Sequence, residues 1–385
     1  MSQSDRPCWD IFCKIVDNYG DIGICWRLSQ QLVNEHHVNV RLFIDHLNVA
    51  SKIIPLLNAN GPLQYIHGVA VCAWPTADTL PAKVVIETFS CQLPESYVAR
   101  MTELQSVWIN LEYLSAEIWV GDFHAKPSPQ AKFNITRHFF FPGFTEKTGG
   151  LIREKNLMSK RDEFLNSASQ QTKFWQELAV DQLIVKNSLK ISLFCYPQAN
   201  VLPLVSALIS QQQNSTLFIT FNDTITTLSD IFADFKQINA NTLTKENITI
   251  FFLPFLSQAH YDRLLWACDL NFVRGEDSWI RAIWASKAFI WQPYLQTEAT
   301  HIKKMQAFLD LYLSHATKEI QTLLTNAYLA WSTPQANAEV NLIDFIHALP
   351  KLNSYAAQQA DRFAGQTDLA SNLHSFSEKL AKNKV

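Results

Sequence analysis

The sequence predicts an α/β protein made of two domains in tandem. Three observations lead there. The chain has 385 residues, a length that divides into two or three domains. It opens on a strand–turn–helix–strand pattern, and the same pattern starts again near residue 189. Strand, helix and strand in succession imply a parallel sheet, because parallel strands need a crossover and a helix supplies it.

In chain order, "DIFCKIV" (10–16) is an apolar run of strand length. The turn "DNYGDIG" (17–23) follows, and then Ile24, Leu28 and Leu32 recur every four residues, as on one helix face. "VNVRLFI" (38–44) closes the βαβ unit, and "AKVVIET" (82–88), "SVWINLE" (106–112) and "HFFF" (138–141) read as further strands before Pro142-Gly143 breaks the chain. Residues 146–189 are more charged, read as largely helical, and should contain the crossing to a second domain. There, "LKISLFCY" (189–196), "STLFITF" (215–221), "NITIFFLPF" (247–255), "DLNFV" (269–273) and "AFIW" (288–291) read as strands. Helices are expected over 201–209, around 261–266 and through Ile280, Ile283 and Trp284. Leu369, Leu373, Phe376 and Leu380 form an apolar stripe on a helical tail. The expected domains are 1–180 and 181–355, with the tail 356–385 packing back on the first.

Composition narrows the function. Hydrophobic residues make up 48% and charged residues 17%, enough for real cores and too little charge for disorder. Eleven tryptophans are expected in cores or cleft walls. The net charge of -3, with no basic run, argues against non-specific nucleic-acid binding, which needs a basic footprint. Seven scattered cysteines (Cys8, Cys13, Cys25, Cys72, Cys91, Cys195, Cys268) form no CxxC pair, so neither a zinc knuckle nor a dithiol site is expected. HxxxH spacing is absent, so no metal is expected; a G-x-S-x-G elbow is absent as well. The first ten residues do not read as a signal peptide and no apolar run is long enough to span a bilayer, so the expectation is a cytoplasmic protein with no membrane partner.

Tandem α/β domains predict a cleft, with ligands at the carboxyl ends of strands. Two constellations fall there. The first is the 17–23 turn. A dinucleotide loop would read G-x-G-x-x-G, whereas here only Gly20 and Gly23 are present and Asp17 and Asp21 add charge that repels phosphate. The glycines would allow tight turning and close approach. The carboxylates suit a cation, a metal or a proton from a nucleophile; the plainer alternative is that Asp21 caps a helix starting near Gly23 and Asp17 closes the turn. The second is Arg274, Glu276, Asp277 and Ser278, just after a strand and at a helix start. Ser278 and free backbone N–H groups there suit a phosphate, and Arg274 adds a charge-assisted bond. Here the alternative is a capped helix with an Arg–Glu surface pair. Phe194, Tyr196 and Phe255 at strand ends can sandwich a planar base and Gln258 can bond its edge, although each alone is more often core. His124 and His138 are weaker base candidates, since no neighbour marks either as activated.

These residues carry a resemblance. "WDIFCKIVDNYGDIGICWRLSQQL" (9–32) and "DRLLWACDLNFVRGEDSWIRAIWASKAFIWQPYLQ" (262–296) resemble the two hallmarks of the bacterial protein-arginine rhamnosyltransferases that modify elongation factor P. "INLEYLSAEIWV" (109–120) and "FFFPGFT" (139–145) resemble their intervening segments. The resemblance implies a GT-B glycosyltransferase fold, with two Rossmann-like domains facing across a cleft. It implies dTDP-β-L-rhamnose as donor, bound mainly by the second domain, and no cofactor. The acceptor would be one arginine at a loop tip of elongation factor P. Transfer would invert configuration, and the product would help rescue ribosomes stalled at consecutive prolines. By motif, the essential carboxylates match Asp17, Asp21 and Glu276. The donor pocket matches Phe194, Tyr196, Phe255, Gln258, Arg274, Glu276, Asp277 and Ser278. Two other readings stay open: a different inverting sugar-nucleotide transferase, and a non-catalytic nucleotide-responsive adaptor of a translation factor.

Overall fold

The computed structural model describes residues 8–16, 19–220, 231–294 and 300–382. Asp17 therefore lies outside the described residues, as do residue 221 of one expected strand and residues 295–296 of the second hallmark. The chain divides into two compact units, Met1–Lys155 with Phe363–Val385, and Asn156–Arg362.

The first unit carries β1 (Cys8–Cys13), β2 (Asn39–Ile44), β3 (Leu63–Ile66), β4 (Val69–Ala73), β5 (Val84–Thr88), β6 (Val107–Leu111), β7 (Pro127–Gln130) and β8 (Ile135–Phe140). They form one sheet in the order β3-β4-β2-β1-β5-β6-β8-β7. The six inner strands are parallel and the two edges antiparallel. β5 and β6, inside the parallel part of the sheet, are buried along their whole length, including the polar Glu87, Thr88 and Asn110 near their carboxyl ends. Asp10, fully buried in β1, accepts Arg41 Nε at 2.6 Å and Nη2 at 2.7 Å, and also the Ala82 N–H at 2.7 Å. That bidentate pair ties β1 to β2 and to the segment entering β5.

The second unit carries β9 (Leu189–Leu193), β10 (Ser215–Thr220), β11 (Lys236–Asn239), β12 (Thr242–Lys245), β13 (Ile248–Leu253), β14 (Leu270–Arg274) and β15 (Ala288–Gln292). Their order is β11-β12-β13-β10-β9-β14-β15, with five parallel strands and a two-strand antiparallel edge.

In both sheets the strand order reverses once, between β1 and β5 and between β9 and β14. At such a reversal the loops part to opposite faces and leave a crevice outside the carboxyl ends of the strands.

The observed division differs from the expected boundary at residue 180. Helices Leu157–Asn166, Ala168–Glu177 and Gln182–Lys186 belong to the second unit. Arg161 explains why: its guanidinium donates to the Trp284 carbonyl at 3.0 Å and to Ser286, both in that unit. The tail likewise divides at residue 363 and not at 356, because helix Leu349–Ala364 begins in the second unit. The last helix, Leu369–Lys382, packs on helix Gly20–His36 and on β6. It buries Leu369 and Leu373, sets Phe376 5.4 Å from Phe140, and bonds the Gly149 carbonyl through Asn372 at 3.1 Å. The edge strands β3, β7, β11 and β12 were not expected from the sequence; each is only four residues long, too short for a visible period.

Candidate functional site

In the first unit, β1 ends at Cys13 and a helix runs over Gly20–His36. The helix starts three residues before the expected Gly23, with Tyr19 as its N-cap. Gly20 and Gly23 therefore lie inside the helix, and neither serves a left-handed turn. Asp21 is not the cap. Its carboxylate is 2% exposed and reaches back over the turn. Oδ2 accepts the Val16 N–H at 2.8 Å, and Oδ1 accepts the Tyr113 hydroxyl at 3.2 Å. A buried carboxylate with a backbone donor and a phenol on it is held in one orientation.

Two neighbours were not singled out from the sequence. Tyr113 follows β6 and stacks on Phe89, which follows β5, with ring centroids 4.1 Å apart and planes within 9°. Glu112 accepts Ser90 Oγ at 3.1 Å and the Asn110 amide. Burial pushes the Glu112 carboxyl above its ordinary value, against the smaller opposing pull of Ser90 and Asn110. The available signal was "LEYL" (111–114), a polar and aromatic pair directly after a buried strand. His124 is half-buried, its Nδ1 accepts the Phe141 N–H at 3.1 Å, and burial lowers its pKa.

In the second unit, β14 runs into Gly275 and then helix Glu276–Trp284. Gly275 has φ 58° and ψ -170°, a conformation essentially restricted to glycine. It lets the chain turn from strand to helix in one residue. The Arg274 side chain then folds over two rings, its guanidinium carbon 4.5 Å from the Phe194 centroid and 4.6 Å from that of Tyr196. Nη1 donates to the Cys195 carbonyl at 3.2 Å. Arg274 makes no ion pair among the described residues, so its charge is held by π faces and a carbonyl. The two rings expected to sandwich a base thus hold the arginine.

Ser278 is buried and turned back on the loop: its hydroxyl donates to the Arg274 carbonyl and accepts the Arg274 N–H at 3.0 Å. That exchange of hydrogen bonds closes the loop between β14 and the helix. Gln258 opens helix Gln258–Ala267 and donates to Asp277 Oδ2 at 3.2 Å. Phe255 is half-buried in the loop before it, and Glu276, also half-buried, is the first residue of its helix. The Gly275 cap makes no side-chain bond to the first turn.

Two features fix this geometry. Arg281 pairs with Asp262 through Nε–Oδ1 at 2.9 Å and Nη2–Oδ2 at 2.7 Å, both side chains buried, and so locks the two helices together. Trp279 stacks on Trp291 at 3.6 Å, and Trp291 Nε1 donates to the Gly275 carbonyl at 3.1 Å. Among the described residues no cluster of three or more His, Cys, Asp or Glu side chains is placed to hold a metal, and no helix is long and apolar enough to cross a membrane.

Two Rossmann-like units, each with polar groups at its strand-order reversal, define an α/β protein of the GT-B glycosyltransferase class. A UDP-bound MnaA structure from S. aureus shares that fold at 8% identity, with 98% of each chain covered and a TM-score of 0.56. A solved structure describing EarP-mediated arginine glycosylation of translation elongation factor EF-P is similar at 31% identity, covering 97% of this chain and 99% of that one, with a TM-score of 0.69. The protein-arginine rhamnosyltransferase of Pseudomonas putida is 41% identical over 375 residues, 96% of this chain and 98% of that protein. The family described as elongation-factor P (EF-P) rhamnosyltransferase EarP matches residues 9–378. The chain belongs to that family, and it is an enzyme, a protein-arginine rhamnosyltransferase.

Proposed function

We propose that this enzyme transfers L-rhamnose from dTDP-β-L-rhamnose to one arginine of elongation factor P, inverting the anomeric configuration, and that the product serves translation through consecutive prolines. Family membership supports the acceptor and the sugar. The observations that carry the chemistry are a buried, oriented carboxylate, Asp21, in one unit and, in the other, an arginine, Arg274, that has no ion-pair partner among the described residues. Each stands at the strand-order reversal of its own sheet.

The acceptor guanidinium is protonated near neutrality, so its nitrogen must lose a proton to attack carbon. Removing it in advance is costly. Asp21 therefore takes the proton as the C–N bond forms, and the glycosidic C–O bond breaks on the opposite face. Asp17, outside the described residues, holds the acceptor or the turn in register. The departing dTDP gains negative charge on its diphosphate. Arg274 and the first N–H groups of helix Glu276–Trp284 stabilise that charge. Phe194 and Tyr196 support the arginine, and Phe255 and Gln258 contact the nucleotide. Asp277 fixes Gln258, Ser278 shapes the loop, and Glu276 contacts the donor.

The test incubates the purified enzyme with elongation factor P and dTDP-β-L-rhamnose and reads intact mass, then fragment masses. One deoxyhexose on a single arginine is the expected result. No transfer from a preparation that binds both substrates would reject the proposal; transfer only from another nucleotide sugar would correct the donor.

A further inference from the structure

We infer that Tyr113 is a positioning residue for the reaction, held by a strained loop so that its hydroxyl keeps Asp21 aimed at the acceptor. The inference rests on the proposed role of Asp21.

It starts from the backbone after β5. Phe89, Ser90 and Gln92 have φ of 55°, 53° and 62°. All three are left-handed and none is glycine, a conformation that is unfavourable for a bulky residue such as Phe. Every amide of the loop is nonetheless bonded. Phe89 N–H goes to the Leu111 carbonyl at 2.7 Å and Cys91 N–H to the Thr88 carbonyl at 3.1 Å. Ser90 N–H goes to Asn110 Oδ1 at 3.1 Å, and Gln92 N–H to Glu87 Oε1 at 2.9 Å. Glu87 is itself buried and also accepts Trp108 Nε1 at 3.0 Å. A strained backbone tied down at each amide is maintained for what it presents.

What it presents is the Phe89 ring, flat against Tyr113. Tyr113 is 43% exposed, and burying a large apolar side chain is not what the strain achieves. The stack fixes the plane of the phenol, and its hydroxyl ends on Asp21 Oδ1. With the Val16 N–H on Oδ2, both carboxylate oxygens have fixed donors, which leaves the carboxylate one orientation. A base that must receive a proton along a defined line gains from that restraint.

Tyr113→Phe keeps the ring and the stack and removes only the hydroxyl. The expected result is a kcat lowered by about tenfold or more, with KM for both substrates and the melting temperature unchanged. A merely structural tyrosine would give the reverse pattern. Single-turnover rates for Tyr113→Phe, Asp21→Asn and the double variant complete the test. Because Tyr113 acts through Asp21, the double variant should be no slower than Asp21→Asn alone. Additive losses, or a Tyr113→Phe enzyme at full kcat beside an inactive Asp21→Asn enzyme, would overturn this inference and leave the proposed reaction standing. An Asp21→Asn enzyme that transfers normally would instead remove the base assignment itself.

Discussion

Outside β1 and β5 the first unit buries a carboxylate; at the equivalent reversal, outside β9 and β14, the second unit holds a guanidinium. The sheets are built alike, but the two charges are stabilised by different means. Asp21 takes hydrogen bonds from a main-chain amide and a phenol. Arg274 rests between two aromatic faces and donates to a carbonyl. Hydrogen-bond donors can satisfy a carboxylate and leave it fixed in direction. Ring faces soften the desolvation of a cation without neutralising it, so it still attracts an anion. One topology thus places a fixed carboxylate in one unit and a guanidinium without an ion-pair partner among the described residues in the other, which is what the proposed division of roles rests on.

The largest expected effect breaks the first side of this comparison. Asp21→Asn keeps shape and removes basicity, so rhamnosyl transfer should fall by about a thousandfold, within the usual range for losing a general base. Donor affinity, which the proposal assigns to the other unit, should be unchanged by calorimetry. A parallel loss of donor affinity would mean that Asp21 holds the nucleotide, and the division of labour would fail.

The second effect falls on stability. Arg281→Met strands the buried Asp262 and should destabilise the protein by about 3–5 kcal/mol, read from denaturant midpoints. Adding Asp262→Leu should recover most of it, because a buried ion pair contributes little net stability over a well-packed apolar pair. If the double variant were as unstable as the single, the pair would contribute through more than mutual compensation of charge.

Arg274→Met tests the anion site directly. On the proposed role, losing this guanidinium should weaken dTDP binding by about tenfold to a hundredfold. Arg274→Lys should recover only part of this, since an ammonium lacks the planar face that packs between two rings. Binding of elongation factor P alone should not change. Equal dTDP affinity in all three proteins would remove Arg274 from the donor site.

How far the sequence anticipated these sites differs between the units for physical reasons. Helix Glu276–Trp284 and β14 were readable because strand, glycine and helix follow one another within a single quoted motif. The role of Ser278 was not, since a hydroxyl at a helix start reads equally as ligand contact or as loop closure until its partner is known. In the first unit Asp21 was visible as unexpected charge, but Tyr113 lies far along the chain and meets it only through the sheet order, as does Phe89, which stacks on Tyr113. Left-handed backbone at Phe89 and Ser90 leaves no mark in composition, because neither is a residue type that predicts it. The unit boundary differs for a similar reason: residues 146–189 read as charged, largely helical and exposed, with the boundary at 180, while Arg161 binds the helix Leu157–Asn166 to the second unit through contacts with Trp284 and Ser286.

The smallest effect falls on a second carboxylate of the first unit. At Glu112, burial, opposed by Ser90 and Asn110, leaves the carboxyl above its ordinary value of 4.5. Folding therefore favours its protonated form. The stability this confers is fully present below the unfolded value and is lost as pH rises through the higher folded value. Glu112→Gln is neutral throughout and cannot undergo that loss. The stability of the native enzyme relative to Glu112→Gln should accordingly decline as pH rises above the ordinary value of 4.5, measured as the difference in urea midpoint. A difference that grew with pH would mean that the hydrogen bonds from Ser90 and Asn110 outweigh burial. Ser90 and Asn110 would then keep the Glu112 carboxylate ionised, and the first unit would present a second fixed carboxylate beside Asp21.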